Sequence, residues 1–430
     1  MSKIILHSDL NGFYASVECF TNPKIRRFPV VVGGDSDARH GIVLAKNEIA
    51  KIAGIVTGET LYNAKIKCPN LVTVPPDFSK YLKFSRLTKQ IYERFTDQVE
   101  SFGIDECWLD VTASTKLFGT GEVIANEIRN TIKKEIGITA SVGVSFNKIY
   151  AKLASDMKKP DATTIITKDN YKELVWKLPA SDLLYVGKAT KKKLQNLKIF
   201  TIGQLANTDI NLLINHLGSW GYVMHTFANG KDNTPVKLKG EESFVKSVGN
   251  QMTLHRDIET LADVKRVFYL LSESVATRLR EHGLKANVVQ ISIRDNNFTS
   301  VQRQGRLGYP TFLTADIANK ALEIFTKKHN FSNPIRSLGM RASNLEAMNS
   351  PLQLDFFTDH VKRRKTEILE LTIDDIRRRY GYDIVHWGIM REDHLLTSGN
   401  PAQDHIIHPI NFFSGKIVSE YDLKQQVLEV

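Results

Sequence analysis

The sequence predicts an α+β chain of several domains, and three observations carry that expectation. Apolar runs that alternate like strands are interleaved with segments whose apolar residues recur three and four apart. The character of the chain changes twice, near residues 170 and 240. At 430 residues, with 42% hydrophobic and 24% charged, the chain has material for about three packed cores.

From the N-terminus, KIILHSD is a strand ending in a carboxylate, and GFYASVECF opens a helix. FPVVVGGD is a strand broken by Gly33 and Gly34, and GIVLAKNEIAKIAG turns helical before stopping at Gly54. SKYLKFSRLTKQIYERFTDQV and GEVIANEIRNTIKKEIG have helical spacing. Between them VESF and CWLDV form a hairpin across Gly-Ile-Asp-Glu. TASVGVSF is a further strand leading into the basic helix NKIYAKLASDMKKP, which Pro160 ends. Residues 170 to 235 read as short helices. Residues 241 to 349 then follow a β-α-β-β-α-β order. The polar linker GKDNTPVKLKGEE between these regions is expected to be mobile, and beyond Ser350 an amphipathic, then loop-rich tail is expected.

The chain carries 58 Lys plus Arg against 47 Asp plus Glu, a net charge of +11. The excess lies in the first 350 residues and is densest from 180 to 350, which points to a polyanion as partner. No apolar stretch reaches a membrane-spanning length, and Asp9 interrupts what would be a signal peptide, so a cytoplasmic protein with no membrane contact is expected. Cys19, Cys68 and Cys107 lie far apart in apolar settings and are read as packing residues. His405 and His408 precede Pro409 without further ligands and are read as loop.

Asp9 ends the first strand, while Asp105 and Glu106 sit at the hairpin tip. Each alone reads as an ordinary solvated acid. Drawn together they would repel one another unless cations held them, and hard oxygen ligands suit Mg²⁺. Two such ions can activate a hydroxyl and stabilise the oxygens of an in-line phosphoryl transfer. Leu10 to Tyr14 open a helix whose free amides suit a triphosphate, and Lys152 could neutralise the same phosphates.

HSDLNGFYASVE, GIVLAKNEIAK, GIDECWLD and NKIYAKLASDMKKPD, in this order, resemble the Y-family DNA polymerases that copy past damaged template bases. NEIAK, with Glu48 and Lys51, is more similar to the UmuC-like than to the DinB-like branch. RRRYGYDIVHWGIM also resembles UmuC-like proteins of Gram-positive bacteria and their mobile elements. The resemblance implies a right-hand architecture. The palm would be residues 1–10 and 76–166, the fingers 11–75, the thumb 167–235, the little finger 241–349, and residues 350–430 a tail. It implies two Mg²⁺ held by Asp9, Asp105, Glu106 and the Leu10 carbonyl. Tyr14 would be the steric gate against a 2′-hydroxyl. The Phe13 and Tyr14 amides, Lys51 and Lys152 would hold the triphosphate, with Ile42 and Leu44 over the nascent base pair. Gly103 stands where the family usually has Ser, and Glu48 sits where a carboxylate would repel phosphate.

LLYVGKATKKKLQNLKIFTIGQL resembles a helix-hairpin-helix, with Val186, Gly187, Lys188, Thr190 and Lys191 as contacts to DNA phosphate. Gln353, Leu354, Asp355, Phe356 and Phe357 resemble the pentapeptide by which bacterial polymerases dock on the sliding clamp. The expected activity is error-prone DNA-directed DNA synthesis across lesions within the SOS response to DNA damage. The partners would be primer-template DNA, deoxynucleoside triphosphates and the clamp, and a UmuD-like subunit or a recombinase filament could also be required. A nucleotidyl cyclase and a non-catalytic DNA-binding repair accessory protein are the alternatives.

Overall fold

In the computed structural model, the structure describes residues 3–34, 41–238, 241, 245–328, 331–351 and 359–397. Two compact units emerge, one built around residues 3–34 and 42–241, the other around those from 245 onward.

In the first unit, β1 (Ile5–Leu10) leads through a left-handed Gly12 into α1 (Phe13–Thr21). β2 (Val30–Gly33), β3 (Val43–Lys46) and β4 (Val72–Val74) form a small sheet in the order β3-β2-β4. The short helices α2 (Glu48–Ile52) and α3 (Leu61–Lys67) accompany it. Their separate core includes Val31, Val43, Ile55, Leu61 and Cys68. Then come α4 (Phe78–Tyr92), the hairpin β5 (Val99–Ser101) and β6 (Glu106–Asp110), α5 (Thr115–Phe118) and α6 (Gly121–Thr131). α6 runs on as a wide turn to Gly137, whose φ of 82° closes the helix as the sequence predicts. β7 (Ala140–Ser145), α7 (Lys148–Met157) and β8 (Thr163–Ile165) complete a five-stranded sheet ordered β5-β6-β1-β7-β8. β1 lies at its centre and every residue in it is buried, including the polar His7, Ser8 and Asp9 that lie between Leu6 and Leu10.

The helical region comprises α8 (Tyr171–Val175), α9 (Lys188–Asn196), α10 (Ile202–Asn207), α11 (Ile210–Leu217) and α12 (Ser219–Ala228), packed around Leu194, Ile202, Leu205 and Leu213. The segment that follows corrects the expectation of a mobile linker. Val236 is buried with Ile5, Trp108 and Ala151, and the Lys237 amide donates to Glu100 Oε2 at 3.1 Å. One apolar anchor in a polar stretch is enough to tie such a segment down.

The second unit has β9 (Ser247–Ile258), α13 (Leu261–Glu281), β10 (Leu284–Asp295), β11 (Ser300–Thr311), α14 (Thr314–Lys328) and β12 (Ile335–Ala347). Its antiparallel sheet runs β11-β10-β12-β9, and the two helices share its core through Phe268, Ile317 and Phe325. A second correction concerns the expected tail. α15 (His360–Tyr380) and α16 (His394–Thr397) follow, and α15 buries Arg363, Glu367 and Glu370. Glu370 and Asp374 of α15 both pair with the buried Arg280 of α13. Among the described residues no helix is long and apolar enough to cross a membrane.

Candidate active site

Antiparallel pairing sets the site. β1 runs beside β6 in a register that puts Asp9 opposite Glu106, and the Leu10 amide donates to the Asp105 carbonyl at 3.1 Å. The end of β1 and the start of β6 thereby bring together acids almost a hundred residues apart. The turn between β5 and β6 is held where Phe102 N reaches Glu106 O at 2.9 Å and where the Ser85 hydroxyl donates to Ile104 O. Gly103 has φ +94°, which an L side chain adopts only under strain, so a glycine suits this turn.

The acids face ammonium groups. Lys159 Nζ lies 2.7 Å from Asp9 Oδ2, and Lys152 Nζ lies 2.6 Å from Glu106 Oε2. Lys159 also pairs with Asp156 at 2.7 Å. Asp105 has no ion-pair partner among the described residues, and burial, followed by the charges of Asp9 and Glu106, pushes its carboxyl up to about 7. Burial likewise raises Asp9, with Lys159 pulling the other way. His7 is fully buried and, by desolvation and then by Lys152, held down to about 3, so it is neutral. The Ser155 hydroxyl donates to Lys152 O at 2.7 Å, leaving its oxygen for the His7 Nδ1–H at 2.9 Å. His7 Nε2 lies 3.4 Å from Glu106 Oε2 without a hydrogen bond.

That arrangement tests the fit of a cation. Buried, mutually repelling hard oxygens and an orphaned ring nitrogen facing one of them describe a site short of positive charge. No three His, Cys, Asp and Glu side chains among the described residues stand in a ready coordination shell. The reason is visible, since the two lysines hold Asp9 and Glu106. The donor chemistry of Asp9, Asp105, Glu106 and the Leu10 carbonyl therefore fits a divalent ion once the ammonium groups find other anions.

The nucleotide-side residues are placed as follows. Phe13 and Tyr14 begin α1, no side chain caps that helix, and the Ser16 amide is the first to reach back, to Gly12 O at 2.9 Å. A Cβ on Gly12 would come within 2.8 Å of Lys46 O, which is why the turn needs glycine. Tyr14 stacks on Tyr81 with ring centres 4.3 Å apart and meets Phe78 edge-on. Burial, then Asp105, pushes its hydroxyl up to about 12, so it stays protonated. Ile42, bridged to Thr60 just before β3, is exposed, and Leu44 within β3 is half-buried. Lys51 is exposed and 3.3 Å from Glu48, its own i−3 neighbour, so the carboxylate neutralises the lysine rather than standing alone. Val186 and Gly187 end the turn into α9 and Lys188 to Lys191 form its first turn, with Val186 buried and Gly187 and Lys188 exposed. Gln353 to Phe357, His405 and His408 lie outside the described residues.

Three residues escape the sequence reading. Lys159 and His7 join the site only through contacts to strands remote in sequence. Asn11 donates to Ser141 Oγ at 2.9 Å, while its Oδ1 accepts from Thr139 Oγ1 and the Asp161 amide, so it ties the β1 turn to the loop bearing Lys159. Its place inside HSDLNG was the available signal.

Comparison with known proteins extends this picture. The impB/mucB/samB family matches residues 8–156, and its C-terminal domain matches residues 245–356. The chain is 52% identical to DNA polymerase IV of Acetivibrio thermocellus, over 92% of this chain and 100% of that protein. It is 37% identical to DNA polymerase IV 2 of Bacillus subtilis, over 88% and 92% respectively. Its fold resembles the solved structure of a Y-family DNA polymerase chimera with a TM-score of 0.70 at 22% identity, covering 80% of this chain and 99% of the other. With acids gathered at the strand ends of such a fold, and relatives matched almost end to end, the chain belongs to the impB/mucB/samB family, the UmuC-like Y-family polymerases.

Proposed function

We propose that this protein is an error-prone DNA-directed DNA polymerase that extends a primer 3′ end across damaged template bases. The reaction joins the primer hydroxyl to the α-phosphate of a deoxynucleoside triphosphate and releases pyrophosphate. The observation that carries this reading is the register of β1 on β6, which sets Asp9 opposite Glu106 beside Asp105. Members of the family depend on divalent metal, and Mg²⁺ is the cation this oxygen donor set suits best. Two such ions, when bound, would lower the pKa of the attacking hydroxyl and offset charge on the leaving oxygens.

The chain's own groups do the positioning. The triphosphate would lie against the start of α1, where no side chain caps the Phe13 and Tyr14 amides. Its oxygens offer Lys152 and Lys159 anionic partners that free Glu106 and Asp9 for metal. The stacked Tyr14 ring would press on the sugar and exclude a 2′-hydroxyl, while Ile42 and Leu44 would cover the base. Residues 1–10 and 76–166 would act as palm, 11–75 as fingers, 167–235 as thumb and 241–349 as little finger. The turn at Val186, Gly187, Lys188, Thr190 and Lys191 would grip DNA phosphate. Gln353 to Phe357 would dock on the sliding clamp. Acting on DNA, the protein would work in the cytoplasm, where a UmuD-like subunit or a recombinase filament is a further candidate partner.

Primer extension with Mg²⁺ tests the assignment. Asp9→Ala and Glu106→Ala should abolish template-dependent extension, and survival of activity in both would refute the site. Tyr14→Ala should admit ribonucleotides at least about tenfold more readily. Deleting residues 353–357 should leave extension on bare template intact and remove stimulation by the clamp.

A further inference from the structure

Tyr185 stands immediately before the turn into α9 and has φ +69°, in the left-handed region that a tyrosine adopts at a cost and a glycine adopts freely. The residue is 51% exposed and lies outside the buried helical core. The turn is closed by its backbone, since Val186 N donates to Leu183 O at 3.1 Å and Gly187 N to Tyr185 O at 3.2 Å. Any residue that tolerates this φ would supply those bonds. Folding alone therefore gives no reason for an aromatic ring here.

The surroundings supply one. The Tyr185 ring lies 5.5 Å from that of Trp220, itself 49% exposed at the start of α12, and 6.4 Å from Phe227. Together they make an exposed aromatic shelf. Beside it the first turns of α9 present Lys188, Lys191, Lys192 and Lys193, all exposed. A Cβ on the adjacent Gly187 would meet nothing within 4 Å, so the backbone there is open to close approach. From this shelf a groove of about 440 Å³ runs between residues 182–187 and one face of α7, and its lining includes Lys152, the partner of Glu106.

We infer that Tyr185, backed by Trp220, is a positioning residue for duplex DNA: its ring covers a deoxyribose of the strand whose phosphate sits on the neighbouring turn and lysines. The inference rests on the polymerase reading. Four lysines next to the rings favour a polyanion over an apolar protein segment, and the groove beside Tyr185 reaches Lys152, although Asp156 and Asp182 also line it. A ring against a sugar adds affinity that does not depend on counterion release, unlike the lysine contacts.

The test is a titration of the full chain with a labelled primer-template duplex at several salt concentrations, alongside thermal melting. Tyr185→Gly and Tyr185→Asn, both at ease in this conformation, should melt no lower than wild type. Both should bind DNA about three- to tenfold more weakly at every salt concentration, with the salt slope unchanged. Tyr185→Phe should bind like wild type. Lys191→Ala should instead reduce the salt slope by about one. Wild-type affinity in both Tyr185→Gly and Tyr185→Asn, while wild type binds duplex normally, would overturn this inference alone. Failure of the wild-type chain to bind primer-template DNA would overturn the polymerase reading and the inference with it.

Discussion

Both units of this protein bury charge, and they handle it in opposite ways. In the second unit Arg280 donates to Glu370 and Asp374, Glu370 also accepts from the amide and hydroxyl of Thr314, and Glu273 takes Arg377 and Tyr382. Guanidinium groups and short donors on packed helices fill those lone pairs in fixed geometry. In the first unit Asp9 and Glu106 rely on the flexible stems of Lys159 and Lys152, and among the described residues Asp105 has no ion-pair partner and His7 Nε2 no hydrogen bond. A saturated network holds a helix in place, whereas an undersupplied one held by exchangeable lysines is ready to receive other charges. The contrast separates a structural cluster from a chemical one more sharply than burial does, because each cluster has buried members, Asp9 and His7 in one and Arg280, Glu273 and Glu370 in the other.

The largest effect is expected where the contrast is broken from the structural side. Arg280→Met would leave Glu370 and Asp374 buried without their cation and should cost about 3–5 kcal/mol, read by denaturant unfolding of the second unit's transition. A loss under 1 kcal/mol would show the network to be incidental.

Asp105→Asn probes the other side. Extension should fall by about 10²-fold or more. Stability in chelator at neutral pH should rise, because a buried repulsion is removed. The sign follows from the raised carboxyl. A folded-state value of about 7, above the ordinary carboxylate value, favours the folded state most at low pH, and that contribution is lost as pH rises toward 7. The stability advantage of the variant should therefore grow between about pH 4 and 7. A variant equally advantaged at both ends would contradict the assigned environment.

Lys159→Met should act more mildly, raising the KM for nucleotide about tenfold with a smaller change in kcat, as expected for a group that meets phosphate on binding. An unchanged KM would return Lys159 to a purely structural role. Gly103→Ser is the smallest perturbation, about 1 kcal/mol of strain at φ +94°, measurable as a lowered melting temperature.

Much of this was legible in the chain. The helix that closes at Gly137, the hairpin around Gly-Ile-Asp-Glu and the β-α-β-β-α-β order follow from periodicity and punctuation, which act over a few residues. Asp9, Asp105 and Glu106 could be singled out because each stands at the end of an apolar run. Lys159 could not, because in sequence it is one lysine in a basic stretch and its partner lies 150 residues away. The pinned segment at Val236 and the docking of α15 were hidden for the same reason, since polar composition says nothing about which single side chain finds a cavity or a buried arginine.

By itself, then, the sequence determined where strands and helices form, which acids end strands and where basic charge concentrates, since these depend on spacing along the chain. Tertiary structure alone decided the strand order β5-β6-β1-β7-β8, the opposition of Asp9 and Glu106, and which lysines answer which acids. Those depend on register between segments far apart, where a slip of one residue would turn every side chain to the opposite face.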